Sequence, residues 1–249
     1  MPDTLARVED QAALSIVIPV GPGETAHTEL VRCVADLVAA SGIDAACQIV
    51  LSHCDPMQST AGYAAAENLD IVRIFGPPGR AAQLNRGVAA SSGRCVWLLH
   101  ADTRPTPGAM ACAAAFAETG SGRGRHDGLG WFPLSFANDG PRLAALNAAG
   151  ANLRSRLLRM PFGDQAWLLH RDSFEALGGF DEQFGPGEDL DFIRRARRAG
   201  IRLFRQNAFI TTSARKYRRH GWLRTTLAHL WLTLRLWLKS IQRQRKSPN

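Results

Sequence analysis

After Asp191 the chain has no acidic residue, yet residues 192–249 carry sixteen of its thirty lysines and arginines. That absence excludes a self-neutralising carboxyl-terminal surface and points to an anionic partner: nucleic acid, a phosphorylated ligand or an anionic membrane. The basic excess comes without any nucleic-acid recognition motif, so nucleic acid is not the expected partner. The five cysteines show no CxxC spacing and their number is odd, which excludes a zinc site and a disulfide framework. They read as reduced, mostly buried thiols of a cytoplasmic protein. Residues 1–13 lack the apolar stretch of a signal peptide and read as a disordered leader. There is no internal repeat and no interdomain linker, and 249 residues at 45% hydrophobic suffice for one large core.

What is present alternates. Apolar runs over 14–20, 48–52, 71–75 and 95–99 predict strands, and 25–40, 81–90 and 107–118 predict helices. That order implies right-handed βαβ units and a parallel sheet. Beyond it the pattern predicts strand and turn elements near 131–136, a helix over 141–158, a strand over 166–170 and a short helix over 173–177. A helix over 188–199 and a short strand over 201–204 complete it. Gly178-Gly179 and Gly200 stand just past two of these helices, where glycine is favoured.

Four constellations carry chemistry. His100-Ala101-Asp102 falls at the carboxyl end of an apolar strand, where ligands bind in open α/β sheets. His100 and Asp102 can both reach one Mg²⁺ or Mn²⁺ ion neutralising a diphosphate; alternatively, Asp102 caps the following turn through Thr103. Glu188 and Asp189 open a helix after Gly187, where the dipole favours negative charge. The functional reading makes Asp189 a general base and Glu188 an orienting group. Gly163, Asp164 and Gln165 form a polar loop that either hydrogen-bonds a polyhydroxylated acceptor or closes an Asx-turn. The run from Arg215 to Trp222 either clamps a phosphate-bearing ligand, with Arg218, Arg219 and His220 among its cations, or is a solvated surface.

From Trp222 onward, Leu223, Leu227, Leu230, Trp231, Leu234, Trp237 and Leu238 share one helical face, with Arg224, Arg235 and Lys239 away from it. Its charges make it a poor transmembrane span. It is expected either to lie on an anionic membrane surface or to pack on protein.

Taken in order, SIVIPV, PGRAAQLNRGVAASSG, LLHADTRPTPG, FGDQAWLLHRDSFEALGGFDE, GEDLDFIRRARRAG and SARKYRRHGW resemble family 2 glycosyltransferases of the GT-A fold. The nearest likeness is to a small bacterial subgroup with GRAxQxN and HADT motifs. The resemblance implies a Rossmann-like, mostly parallel central sheet flanked by helices over residues 14–215, followed over 216–249 by a basic closing loop and an amphipathic helix. It implies transfer of a sugar from a nucleotide-sugar donor, a UDP-sugar, to an acceptor hydroxyl, metal-dependent and inverting. The acceptor is a small molecule or lipid-linked, and the location cytoplasmic, with docking on the inner membrane face left open.

The resemblance further assigns Val20, Gly21, Glu24, Asp55, Arg80, Asn85 and Ala101 to the nucleotide and Asp102, with His100, to the metal. Asp189 and Glu188 become catalytic. Gly163, Asp164, Gln165 and Trp167 go to the acceptor side, and Arg218, Arg219 and His220 to a loop over the diphosphate. Two departures stand out. His100 occupies the position of the first acid of DxD, and Ser52-His53-Cys54-Asp55 replaces the usual Asp-Gly-Ser after the second strand. The rival readings are a degenerate GT-A protein serving as a membrane- or protein-binding module and a nucleotidyltransferase. The acidic Gly21-Pro22-Gly23-Glu24 turn disfavours the latter.

Overall fold

The computed structural model describes residues 12–41, 47–56, 69–118 and 128–246, with side chains through Leu236 in the last helix. Of the expected leader over 1–13, residues 1–11 lie outside the described residues, as do the glycine-rich stretch over 119–127 and the side chains of Trp237, Leu238 and Lys239. Ala12 and Ala13 instead accept backbone hydrogen bonds from Arg94 and Cys95, both at 3.1 Å.

The first half follows the alternation of the sequence. β1 (Leu14–Val20), α1 (Ala26–Ser41), β2 (Cys47–His53), β3 (Asp70–Phe75), α2 (Arg80–Ala89) and β4 (Cys95–Leu98) lead to β5 (Thr103–Pro105) and α3 (Pro107–Glu118). Then come β6 (Gly128–Trp131), β7 (Leu134–Phe136), α4 (Ala144–Leu158), a 3-10 turn (Gly163–Gln165), β8 (Trp167–His170) and α5 (Arg171–Ala176). The chain continues through α6 (Glu188–Arg198), β9 (Arg202–Arg205), β10 (Ile210–Thr212), α7 (Arg215–His220) and α8 (Trp222–Lys246).

Seven strands form the central sheet in the order β3-β2-β1-β4-β8-β6-β9. β1 pairs in parallel with β2 and β4, in register from Leu14 opposite Cys47 and Cys95. The sheet is mostly parallel, as expected, but β8 runs antiparallel to both β4 and β6. A small second sheet, β5-β10-β7, has two three-residue strands that apolar periodicity does not mark, β5 and β10; cross-strand pairing holds them.

Successive side chains of each strand point to opposite faces, and both faces are covered. Ile16, Ile18 and Trp97 pack under α1 and α3. Val17, Val96 and Leu98 pack under α2, α5 and α6. The chain reverses direction across the sheet beside β1 and β4, which opens a crevice at their carboxyl ends. All five cysteines are free.

Candidate active site

The crevice is built from strand ends and helix starts. Gln83 on α2 is fully engaged in shaping it: its Nε2 donates to the carbonyls of Val20 and Ser52, both at 2.8 Å, tying together the ends of β1 and β2. Past β1, Glu24 accepts a hydrogen bond from the Ala26 amide at 2.7 Å and so starts α1. Past β4 the chain turns through His100–Thr103, closed by a 3.0 Å bond from the Thr103 amide to the His100 carbonyl. Ala101 is buried inside this turn and Asp102 is half-exposed at its tip.

Asp102 opens onto a cleft of about 330 Å³ lined also by Glu29, Arg104, Asp139, Ser213 and Arg215. Burial first, then the neighbouring Glu24 carboxylate, push the Asp102 carboxyl above its ordinary range, while Arg215 and Arg104 pull it back. Arg104 is itself tied to Glu29 at 2.7 Å. Three acids and two guanidiniums around one small volume suit a ligand that brings both negative charge and cations.

The second half of the site centres on Arg80, the first residue of α2. Its Nε lies 2.5 Å from Glu188 Oε1, and its Nη2 lies 3.1 Å from Asp189 Oδ2. Its Nη1 lies 3.4 Å from His100 Nε2. Burial works against the guanidinium's charge, but Asp189 and Glu188 outweigh it and hold Arg80 more firmly protonated than usual. Asp189 also accepts the Gly163 amide at 3.0 Å. The fit at Gly163 is close: a Cβ there would lie 3.2 Å from His100 Nε2 and 3.3 Å from Asp189 Oδ2.

The expected His100–Asp102 metal pair is divided between these halves. Burial, then Arg80, holds the His100 imidazole well below its ordinary range, against the pull of Asp189. Its Nε2 lies beside the Arg80 guanidinium, a positive charge at the place a metal ion would have to approach. Among the described residues no group of three or more His, Cys, Asp or Glu is spaced to hold a metal ion.

Asp164 joins the halves. Burial raises its carboxyl first; Arg154 and Arg80 lower it, and Asp189 and Asp102 raise it further. The side chains of Asp102, Asp164, Asp189 and Arg80 therefore share one electrostatic neighbourhood, although they come from four separate stretches of chain.

Several expected site residues do other work. Gln165 is fully buried; its Oε1 accepts from Ser155 Oγ and its Nε2 donates to Asn152 Oδ1 at 3.2 Å. Trp167 is in the core, 1% exposed, stacked on Phe180 and Phe192 at 5.9 and 5.6 Å. It faces α5 and α6, because strand register sends it to that side of the sheet. Asn85 is occupied by the backbone of Phe180, accepting its amide at 2.8 Å and donating to its carbonyl at 2.9 Å, so it braces the 180–182 turn. Arg218, Arg219 and His220 sit exposed on α7, a helix where a closing loop was expected, and do not line the cleft. The cation of that run that does is Arg215. Val20 and Gly21 end β1 at the crevice and Asp55 lies just past β2, half-buried, beside Cys54, whose Sγ is 3.5 Å from the Val20 carbonyl.

Sequence reasoning missed Gln83, Arg104, Asp139 and Arg154. The one available signal was chain position: Arg104 follows the HADT turn directly, and Gln83 sits in the GRAxQxN motif.

No family model and no curated protein matches the chain. Solved structures do. S. aureus TarS 1–349 aligns over 80% of this chain at 15% identity with a TM-score of 0.57, and the chain spans 60% of that structure's length. TarS has also been solved with UDP and with UDP-GlcNAc. Mannosyltransferase PcManGT from Pyrobaculum calidifontis, in complex with GDP-Man and Mn²⁺, aligns over 93% of this chain and 65% of its own at 14% identity, TM-score 0.61. Glucosyl-3-phosphoglycerate synthase from Mycobacterium tuberculosis, with Mn²⁺, UDP and glucosyl-3-phosphoglycerate, aligns over 83% and 74% at 16% identity, TM-score 0.52. The chain shares the GT-A architecture of these glycosyltransferases.

Proposed function

We propose that this protein is a glycosyltransferase that moves a sugar from a nucleotide-sugar donor to an acceptor hydroxyl with inversion. The observation that carries the reading is the convergence of Asp102, Asp164 and Asp189 with Arg80 at the carboxyl ends of β1 and β4. The structural neighbours that bind UDP, UDP-GlcNAc and GDP-Man support it at the level of fold.

In this reading the donor lies across the strand ends, with its nucleotide toward Val20, Gly21 and Asp55 and its diphosphate toward Asp102. Arg104 and Arg215 face the diphosphate, and preorganised cations there lower the barrier by stabilising charge as it develops on the leaving oxygen. The acceptor hydroxyl attacks the anomeric carbon from the side of Asp189. The new carbon–oxygen bond forms as the bond to the diphosphate oxygen breaks, its electron pair leaves with the diphosphate, and the hydroxyl proton passes to Asp189. One displacement with one base inverts the anomeric centre. Gly163 and Arg80 hold the Asp189 carboxylate in place, and Glu188, braced by its own bond from the Gly187 amide at 3.0 Å, holds Arg80.

Mg²⁺ or Mn²⁺ fits here as an ion shared with the donor. Mg²⁺ sites beside phosphates commonly use only one or two carboxylates, and Asp102 with Glu24 nearby supplies that much. When bound, the ion neutralises the diphosphate.

Thermal-shift titration with UDP-, GDP-, CDP- and TDP-sugars, each with Mn²⁺, Mg²⁺ or chelator, tests the reading. The expected result is stabilisation by one nucleotide class that needs metal and disappears in Asp102→Ala. A folded protein that none of these donors stabilises overturns it in favour of a degenerate binding module.

A further inference from the structure

α8 packs the wrong way round for a helix that completes its own core. Thr225 and Leu236 are buried, and Trp222, Thr226, His229 and Thr233 are half-buried against the body. The leucine stripe faces out: Leu223, Leu227, Leu230, Trp231 and Leu234 are each at least 54% exposed. A soluble amphipathic helix normally does the reverse.

α4 repeats the arrangement. Leu146, Leu153 and Leu157 share one face, and the least exposed of them is 56% exposed. The helices are fastened side by side through Asn147, which accepts from Trp222 Nε1 at 2.6 Å and donates to Thr226 Oγ1 at 3.0 Å. Of the thirteen large hydrophobic residues exposed among the described residues, eleven belong to α8, α4 or the residue preceding α4. Contiguous apolar exposure on this scale marks an interaction surface.

Charge identifies the occupant. Residues 140–163 and 192–249, which contain both helices, hold no acid at all. Exposed Arg142, Arg156 and Arg159 accompany the α4 stripe, and Arg224 and Arg235 the α8 stripe. A second copy docked on this face would set arginine against arginine with no carboxylate between them. An anionic bilayer suits both features, since leucine and tryptophan enter the acyl boundary while arginines meet phosphate headgroups. No helix among the described residues is long and apolar enough to cross a membrane, so the fit is to a surface.

We propose that the joint α4–α8 face docks this protein on an anionic lipid surface. The proposal does not depend on glycosyl transfer, and its test needs no turnover. The whole protein is floated with phosphatidylcholine vesicles, with and without phosphatidylglycerol. The expected result is capture by the phosphatidylglycerol vesicles, weakened by salt. Leu227→Glu with Leu230→Glu, and separately Leu153→Glu with Leu157→Glu, should each lower the partition by about tenfold or more. Circular dichroism and the melting temperature should stay unchanged, because all four side chains already face solvent.

Three results overturn the proposal: capture that neither double variant weakens, equal capture by the neutral vesicles, or no capture by either composition. So does a wild-type dimer in sedimentation velocity that both double variants dissolve, which would assign the face to a second copy.

Discussion

Arg80 holds Glu188 and Asp189 with one guanidinium and reaches His100 as well. The two carboxylates are nearly buried, at 7% and 11% side-chain exposure, while Arg80 itself is 39% exposed and so partly screened by water. Arg80→Ala should therefore cost about 1–3 kcal/mol in a urea melt, mostly as the penalty of two carboxylates left without their partner. Arg80→Lys should restore little, because one ammonium cannot reproduce a fork that serves three groups. Asp189→Asn addresses the chemistry instead. It keeps the shape and can still accept from the Gly163 amide, so donor binding should survive while kcat falls by about 10²- to 10⁴-fold. A kcat within a few-fold of wild type would remove Asp189 from the role of base.

At the scale of elements, the site depends on how closely α2 lies on β1. Gly87 makes that approach possible: a Cβ there would overlap Val17 Cγ1 in the middle of β1 and also meet Ser52 at 3.7 Å. Gly87→Ala should destabilise the fold by about 1–3 kcal/mol, against the usual gain for this exchange within a helix. A denaturant midpoint equal to or above wild type would show that the α2–β1 spacing is slack. Because α2 also carries Gln83, which clamps the ends of β1 and β2, and Arg80, any shift of this helix is felt in the crevice before it is felt elsewhere.

At the scale of the whole molecule, α8 is joined to the body partly through one histidine. His229 meets Lys216 Nζ at 3.3 Å and the Tyr217 hydroxyl at 3.5 Å. Burial, then Lys216, holds its imidazole below the ordinary 6.5. As pH falls through 6.5, the unfolded chain takes up a proton that the folded chain refuses, so stability is full above that value and declines below it. Melting curves between about pH 7 and pH 5 should fall with acid, and His229→Gln should flatten the fall. His27, also held low by burial and by His53, and His100, held low by burial and by Arg80, keep a slope in the variant. An identical slope in the variant would free His229 of any part in it.

The sequence alone was enough for the order and type of most elements, the mostly parallel sheet, the crevice at its carboxyl edge and the one-signed carboxyl-terminal region. These are properties of neighbouring residues: apolar period, glycine stops and local charge survive in any tertiary arrangement. It was also enough to single out Arg80, Asp102, Gly163, Asp164 and Asp189 as candidates. Only the tertiary structure decided what they touch. Arg80 meets Glu188 across 108 positions of chain, and no local pattern announces such a pair. Register decided that Trp167 enters the core, and packing decided that Gln165 and Asn85 brace the scaffold. The turn after β10 decided that Arg215, rather than its basic neighbours, lines the cleft. The same holds for α8. Its amphipathic stripe is written in the spacing of its leucines, but whether that stripe faces the body depends on what the body offers. Here it offered Asn147, Tyr217 and Lys216, which match threonine, histidine and tryptophan, and the leucines were left outside.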